Sequence, residues 1–139
     1  MRVSAKVNYA LRAMAELAAA PPGLMTAEQL ASAQHIPPKF LESILSQLRT
    51  GGLVASHRGA EGGYELARPA AEISVAEVIR VLEGPIATVR GVRPDELEYD
   101  GAASGLRGIW LELRTQMRGV LEQATLADIT AAQRHQRDA

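Results

Sequence analysis

No cysteine occurs among the 139 residues. That excludes disulfides, thiol redox chemistry, and zinc or iron–sulfur centres held by thiolates. No apolar run is long enough to span a bilayer, so the chain is not expected to cross a membrane. A cytoplasmic location is the default expectation. No internal repeat or low-complexity tract is present. No nucleophile–base pair, phosphate loop or metal motif occurs either, so an enzyme is not expected. His35, His57 and His135 are scattered and read as surface or capping residues.

Charge of one sign is not in excess overall: fifteen Lys and Arg stand against sixteen Asp and Glu, for a net charge of −1. The two halves differ. Residues 1–68 carry a net +2 and residues 69–139 a net −3. A modestly basic front half is compatible with a phosphate-binding face, and on charge alone that is weak evidence.

What is present is organised around residues 26–64, TAEQLASAQHIPPKFLESILSQLRTGGLVASHRGAEGGY. Thr26 is a good N-cap, and Gln29 three positions on suggests a capping box. Ile36-Pro37-Pro38 breaks that first short helix. Pro38 opens a second, which runs to about Arg49. Leu41, Ile44, Leu45 and Leu48 share one face of it, while Lys39, Glu42, Ser43, Ser46, Gln47 and Arg49 lie largely off that face. Gly51-Gly52 ends it. Residues 53–56 and 64–67 read as strands, with a glycine-rich turn, residues 58–63, between them. This is a helix-turn-helix with a β-wing.

Upstream, residues 4–20 read as an amphipathic helix rather than a targeting segment. Its repeat is Val3, Val7, Leu11, Met14 and Ala18, with Ala10 and Leu17 alongside, and Pro21-Pro22-Gly23 ends it. Downstream, Ser74 caps a helix over residues 75–83 with a stripe of Val75, Val78, Ile79 and Leu82, closed by Gly84-Pro85. Residues 86–104 mix Gly, Pro and acidic residues and read as a long loop, which is usually functional or mobile. Asp95, Glu96, Glu98 and Asp100 there read as a solvated acidic loop, with a hard cation as the alternative. A last long helix runs over about residues 105–123. Leu106, Trp110, Leu113, Met117, Val120 and Ala124 step along it in heptad fashion, widened by Ile109 and Leu121. So wide a stripe needs a cover. A two-fold dimer interface through Leu106, Ile109, Trp110, Leu113, Met117, Val120 and Leu121 is expected, with packing on the first helix as the alternative. Trp110 is either core or the gate of an effector pocket.

The strings MRVSAKVNYALRAM, LESILSQLRTGGLVASHRG, GGYELARP, ISVAEVIRVLEGP, GIWLELR and VLEQATLADI together resemble the IscR/NsrR/CymR-type bacterial transcriptional regulators, the Rrf-two family. The resemblance covers about residues 1–130 in unbroken order. It implies a homodimeric winged-helix protein that binds a near-palindromic operator. The iron–sulfur members carry three cysteines in the loop that is here residues 89–104, and this chain has none. Their cluster cannot form without its thiolates, so their sensing role does not carry over. The wing also departs: Gly59-Ala60-Glu61-Gly62-Gly63 stands where many members have Gly-Pro-Gly-Gly-Gly, and Glu61 adds negative charge where phosphate would approach.

The expected architecture is mostly α with a small β-wing. Residues 1–85 form the winged domain, with its wing at about 53–67. Residues 86–104 form the loop, 105–131 the dimerisation helix and a short final helix, and 132–139 a frayed tail. The expected DNA-facing set is Lys6, Tyr9, Thr26, Pro38, Lys39, Phe40, Glu42, Ser43, Gln47, Arg49, Arg58, Gly59, Gly62, Gly63 and Tyr64. The start of the second motif helix should enter the major groove. The resemblance implies that Glu42 reads cytosine by accepting from its N4 amine; the alternative is a solvated face. Arg58 is expected in the minor groove, or else in an ion pair with Glu61 or Glu65. Lys6 and Tyr9 are expected on phosphate, with Tyr9 as core the alternative. Phe40 either stacks on the sugar–phosphate backbone or packs on the motif.

The leading reading is a dimeric DNA-binding regulator, most simply a repressor. The alternative is a winged-helix module that binds a partner protein. No cofactor or metal is expected. A small-molecule effector between the long helix and the winged domain, which requires a cavity near residues 86–104, stays open beside control by a partner protein.

Overall fold

The first helix, α1 (Ala5–Ala19), starts at Ser4, whose Oγ accepts the Val7 N–H at 3.1 Å. The computed structural model describes residues 2–20 and 23–138. Val7, Ala10, Ala13, Met14 and Leu17 form the buried face of α1, whereas Val3 is exposed. The expected stripe is therefore rotated. The small Ala10 and Ala13 let neighbouring helices approach, which takes them into the core and leaves Leu11 and Ala18 at its edge. The expected stop at Pro21-Pro22 lies outside the described residues.

The reciprocal capping box at α2 (Ala27–Gln34) is complete: Thr26 N–H donates to Gln29 Oε1 at 2.9 Å and Gln29 N–H to Thr26 Oγ1 at 3.1 Å. The helix ends at His35 in a left-handed conformation, and Ile36 turns back into the core. Pro38 is then the first residue of α3 (Pro38–Thr50), which buries Leu41, Ile44, Leu45 and Leu48. Gly51 after it sits where a Cβ would collide with Val81, so α3 and the following helix meet closely only because it is glycine.

Strands β1 (Val54–His57) and β2 (Gly63–Leu66) pair antiparallel, Ser56 opposite Tyr64. A bridge the sequence pattern did not announce joins Tyr64 to Met25, through Tyr64 N–H to Met25 O at 2.7 Å and the reverse bond at 3.0 Å. It ties the wing to the entry of α2. Helix α4 (Val75–Glu83) is capped by Ser74 and buries Ala76, Val78 and Leu82. Val75 and Ile79, expected in its stripe, are only half-buried, because Ala76 takes the inward position.

Residues 86–104 contain two short 3₁₀ turns, Pro94–Glu96 and Gly101–Ala103, and a tight bridge between Val89 and Val92. Helix α5 (Leu106–Gln123) follows and has no buried residue. Helix α6 (Leu126–Asp138) is longer than expected: the backbone stays helical where a frayed tail was anticipated from residue 132. Its start is fixed by reciprocal bonds between Thr125 and Asp128 and by Leu126, which is fully buried. Good helix formers such as Ala, Gln and Arg then carry it on. It is α6, rather than α5, that lies along α1.

Candidate nucleic-acid interface

The start of α3 presents its polar side to solvent. Pro38, Lys39, Phe40, Glu42 and Ser43 are all exposed, as is Arg49 a turn and a half further on. The four leucine and isoleucine anchors on the opposite face hold that side outward. Neither Lys39 nor Glu42 forms an ion pair among the described residues. Gln47 is half-buried and reaches back to Ser43 Oγ at 3.4 Å, an interaction of side chains four apart. Arg49 Nη1 reaches Ser56 Oγ on β1 at 3.5 Å, linking α3 to the base of the wing.

The wing turn presents Arg58. It is exposed and makes no hydrogen bond or ion pair among the described residues. The expected competitor Glu65 instead pairs with His57, Oε1 to Nε2 at 2.9 Å, diagonally across the hairpin, where Glu65 faces Ala55 and His57 faces Gly63. Gly59 adopts φ +111°, a conformation that a side chain disfavours. Gly62 and Gly63 are constrained by space: a Cβ on Gly62 would meet the His57 carbonyl, and one on Gly63 the Met25 carbonyl. These two glycines hold the wing's own shape.

Other members of the expected set have occupations inside the fold. Thr26 caps α2. Lys6 Nζ donates to the Leu82 carbonyl at the end of α4, 3.3 Å away. Tyr64 and Tyr9 are half-buried against the core. Tyr9 meets Phe40 edge to face, ring centroids 5.5 Å apart, and Phe40 itself is 42% exposed. Arg12, which the sequence reading passed over, lies over the Tyr9 ring at 5.3 Å and also binds the Gln34 side chain. Its signal was position: it falls one helical turn after Tyr9 on the same face of α1.

Away from this surface, a cavity of about 500 Å³ lies between α1, α4, α5 and residues 85–94, lined among others by Val7, Ile79, Ile86, Trp110 and Met117. Trp110 is half-buried there, its Nε1–H donating to Tyr99 Oη at 3.0 Å. The expected heptad seam is therefore split. Leu106, Ile109, Leu113 and Val120 are exposed on α5, while Trp110, Met117 and Leu121 are half-buried against their own chain.

The acidic loop is also not a free carboxylate cluster, since Asp95 pairs with Arg93 and Arg114 at 3.0 and 2.9 Å. Among the described residues no three His, Asp or Glu side chains gather as metal ligands, and no polar or charged side chain is buried. The loop has no thiolate, so its residues do not fit a cysteine-ligated iron–sulfur cluster.

Two helices, a hairpin wing and an outward polar face on α3 define a winged helix-turn-helix protein. The family model that matches, over residues 3–132, is Rrf2, described as an iron-dependent transcriptional regulator. The chain belongs to the Rrf2 family. A Mycobacterium tuberculosis (strain H37Rv) protein carrying the name of an HTH-type transcriptional regulator, Rv1287, is 54% identical over 130 residues, 93% of this chain and 81% of that one. The structure of CymR (YrzC), the global cysteine regulator of B. subtilis, matches with a TM-score of 0.81 and 34% identity over 95% of this chain and 98% of that chain. T. potens IscR matches with a TM-score of 0.77 and 34% identity, covering 95% and 88%.

Proposed function

We propose that this protein is a homodimeric repressor that binds a near-palindromic operator, α3 in the major groove and Arg58 in the minor groove of each half-site. The observation that carries the reading is the pairing of an unengaged, exposed Arg58 with an exposed polar α3 face on a rigidly anchored wing. Lys39, Arg49 and Arg58 supply cations for phosphate and groove, and affinity from such contacts falls with salt. Glu42 supplies an acceptor for a cytosine amine. Phe40 is exposed enough to touch the sugar–phosphate backbone while its edge packs on Tyr9. Repression requires only occupancy of a promoter.

Dimerisation is supported by α5. Ile109 and Val120 are 59% and 69% exposed, with Leu106 and Leu113 beside them on the same helix. Covering a side chain of that size contributes about 1.5–3 kcal/mol. Paired recognition helices then imply half-sites about one helical turn apart. A small-molecule effector would fit the 500 Å³ cavity beside Trp110, between the long helix and the winged domain.

Selection of bound duplexes from a randomised pool tests the DNA reading. The expected product is a two-fold repeat whose enrichment changes at one base with Glu42→Gln. Recovery of no common sequence would favour the partner-binding module.

A further inference from the structure

A second cavity, of about 430 Å³, lies on the other side of the Pro85-Ile86 segment. Its lining includes Arg80 from α4, Arg93 from the loop, and Arg114 and Arg118 one turn apart on α5. Among the described residues, every charged side chain that lines it is an arginine. These four are half of the eight cations of residues 69–139, a half of the chain that carries a net −3. We propose that this arginine cluster is a binding site for a small polyanion, a compact molecule carrying phosphate or several carboxylates.

Two carboxylates pre-set the cluster without neutralising it. Asp95 holds Arg93 and Arg114, and Glu122 holds Arg80 at 2.5 Å and Arg118 at 3.2 Å. Four guanidinium charges against two carboxylates leave a surplus of two. A guanidinium has five N–H donors in a fixed fork. Among the described residues the guanidinium groups of Arg80, Arg114 and Arg118 each donate one hydrogen bond and that of Arg93 donates two, so most donors remain unspent there. Arg114 is the most enclosed, with its side chain 20% exposed. Arginine forks match phosphate and carboxylate bidentately. Exposed ion pairs of this kind are individually weak, so an incoming polyanion competes with them on favourable terms.

The cavity joins three segments: the end of α4, the loop after it, and α5. A bound polyanion would pin the loop and α5 to the winged domain. None of these residues belongs to α3 or the wing, so the site does not rest on the DNA-binding reading and is tested without DNA.

The test is isothermal titration calorimetry of the full chain with pyrophosphate, citrate and inorganic phosphate, at ionic strength held constant with sodium chloride. Saturable binding of at least one probe, near one per chain, is expected. The Arg114→Gln/Arg118→Gln double variant should bind at least about ten-fold more weakly, because each lost charged hydrogen bond is worth that order. Arg68→Gln, which removes an exposed arginine elsewhere, should bind as wild type. Should circular dichroism show the double variant unfolded, Arg93→Gln in the loop carries the same expectation. No saturable heat with any probe overturns the site, as does undiminished binding to a folded arginine variant.

Discussion

Tyr9 of α1 and Phe40 of α3 meet edge to face with their planes at 82°. This contact sets the recognition helix against the first helix at the point where α3 is expected to enter DNA. The Tyr9 hydroxyl decides between two readings. Tyr9→Phe should leave thermal stability within about 0.5 kcal/mol, since the ring packing is kept. Should the hydroxyl also contact phosphate, the same variant would weaken DNA binding. Tyr9→Ala should cost about 2–3 kcal/mol in chemical denaturation, less than full burial of an aromatic would give. Unchanged stability in Tyr9→Ala would show that the pair does not brace the motif.

Arg58 has no partner to lose within the described residues, so Arg58→Ala should not move the melting temperature measurably. It should weaken DNA binding and reduce the slope of log affinity against log salt by about one. Fluorescence anisotropy across a salt series measures both. A normal slope with weakened stability would place Arg58 in the fold instead.

The exposed apolar side of α5 predicts a concentration-dependent dimer. Val120→Glu should raise the dimer dissociation constant at least about ten-fold in analytical ultracentrifugation, because it buries an unpaired charge in the interface. The monomer's own fold should survive, since Val120 touches no buried core. A wild type that remains monomeric across the accessible concentration range would remove the two-fold operator from the account.

The two carboxylates of the arginine cluster predict an acid response. The Arg80 hydrogen bond, then that of Arg118, holds Glu122 below the usual carboxylate range. Partial desolvation pushes Asp95 up, but bonds from its own backbone N–H, Arg114 and Arg93 leave it below that range as well. A carboxyl whose pKa is lower in the folded chain adds stability above its unfolded pKa, and that stability is lost as pH falls through the folded value. Thermal melts should therefore hold from pH 7 to about 5 and decline below about pH 4. Arg114→Gln should shrink the acid decline. An identical decline in wild type and variant would contradict the linkage.

The core of α3 was legible because Leu41, Ile44, Leu45 and Leu48 repeat at helical period and are large. The Thr26–Gln29 and Ser74–Glu77 caps were legible because they are local. Ala13 was missed on the buried face of α1: small residues carry little hydrophobic signal yet enter the tightest contacts. The Met25–Tyr64 bridge and the Asp95–Arg114 pair join residues far apart in sequence, and no periodicity encodes them. Asp95 therefore read as part of a free acidic loop. In the expected DNA-facing set, exposure was readable for Lys39, Glu42 and Arg58. The internal engagements of Lys6 and Tyr64 came only with tertiary structure.

The most direct measurement is a nuclease footprint of the purified protein on the region upstream of its own gene, at low and at physiological salt. The account predicts one protected site with two halves about a helical turn apart, fading with salt and lost with Arg58→Ala. A lane without protection at low salt, or a footprint indifferent to Arg58, would contradict it.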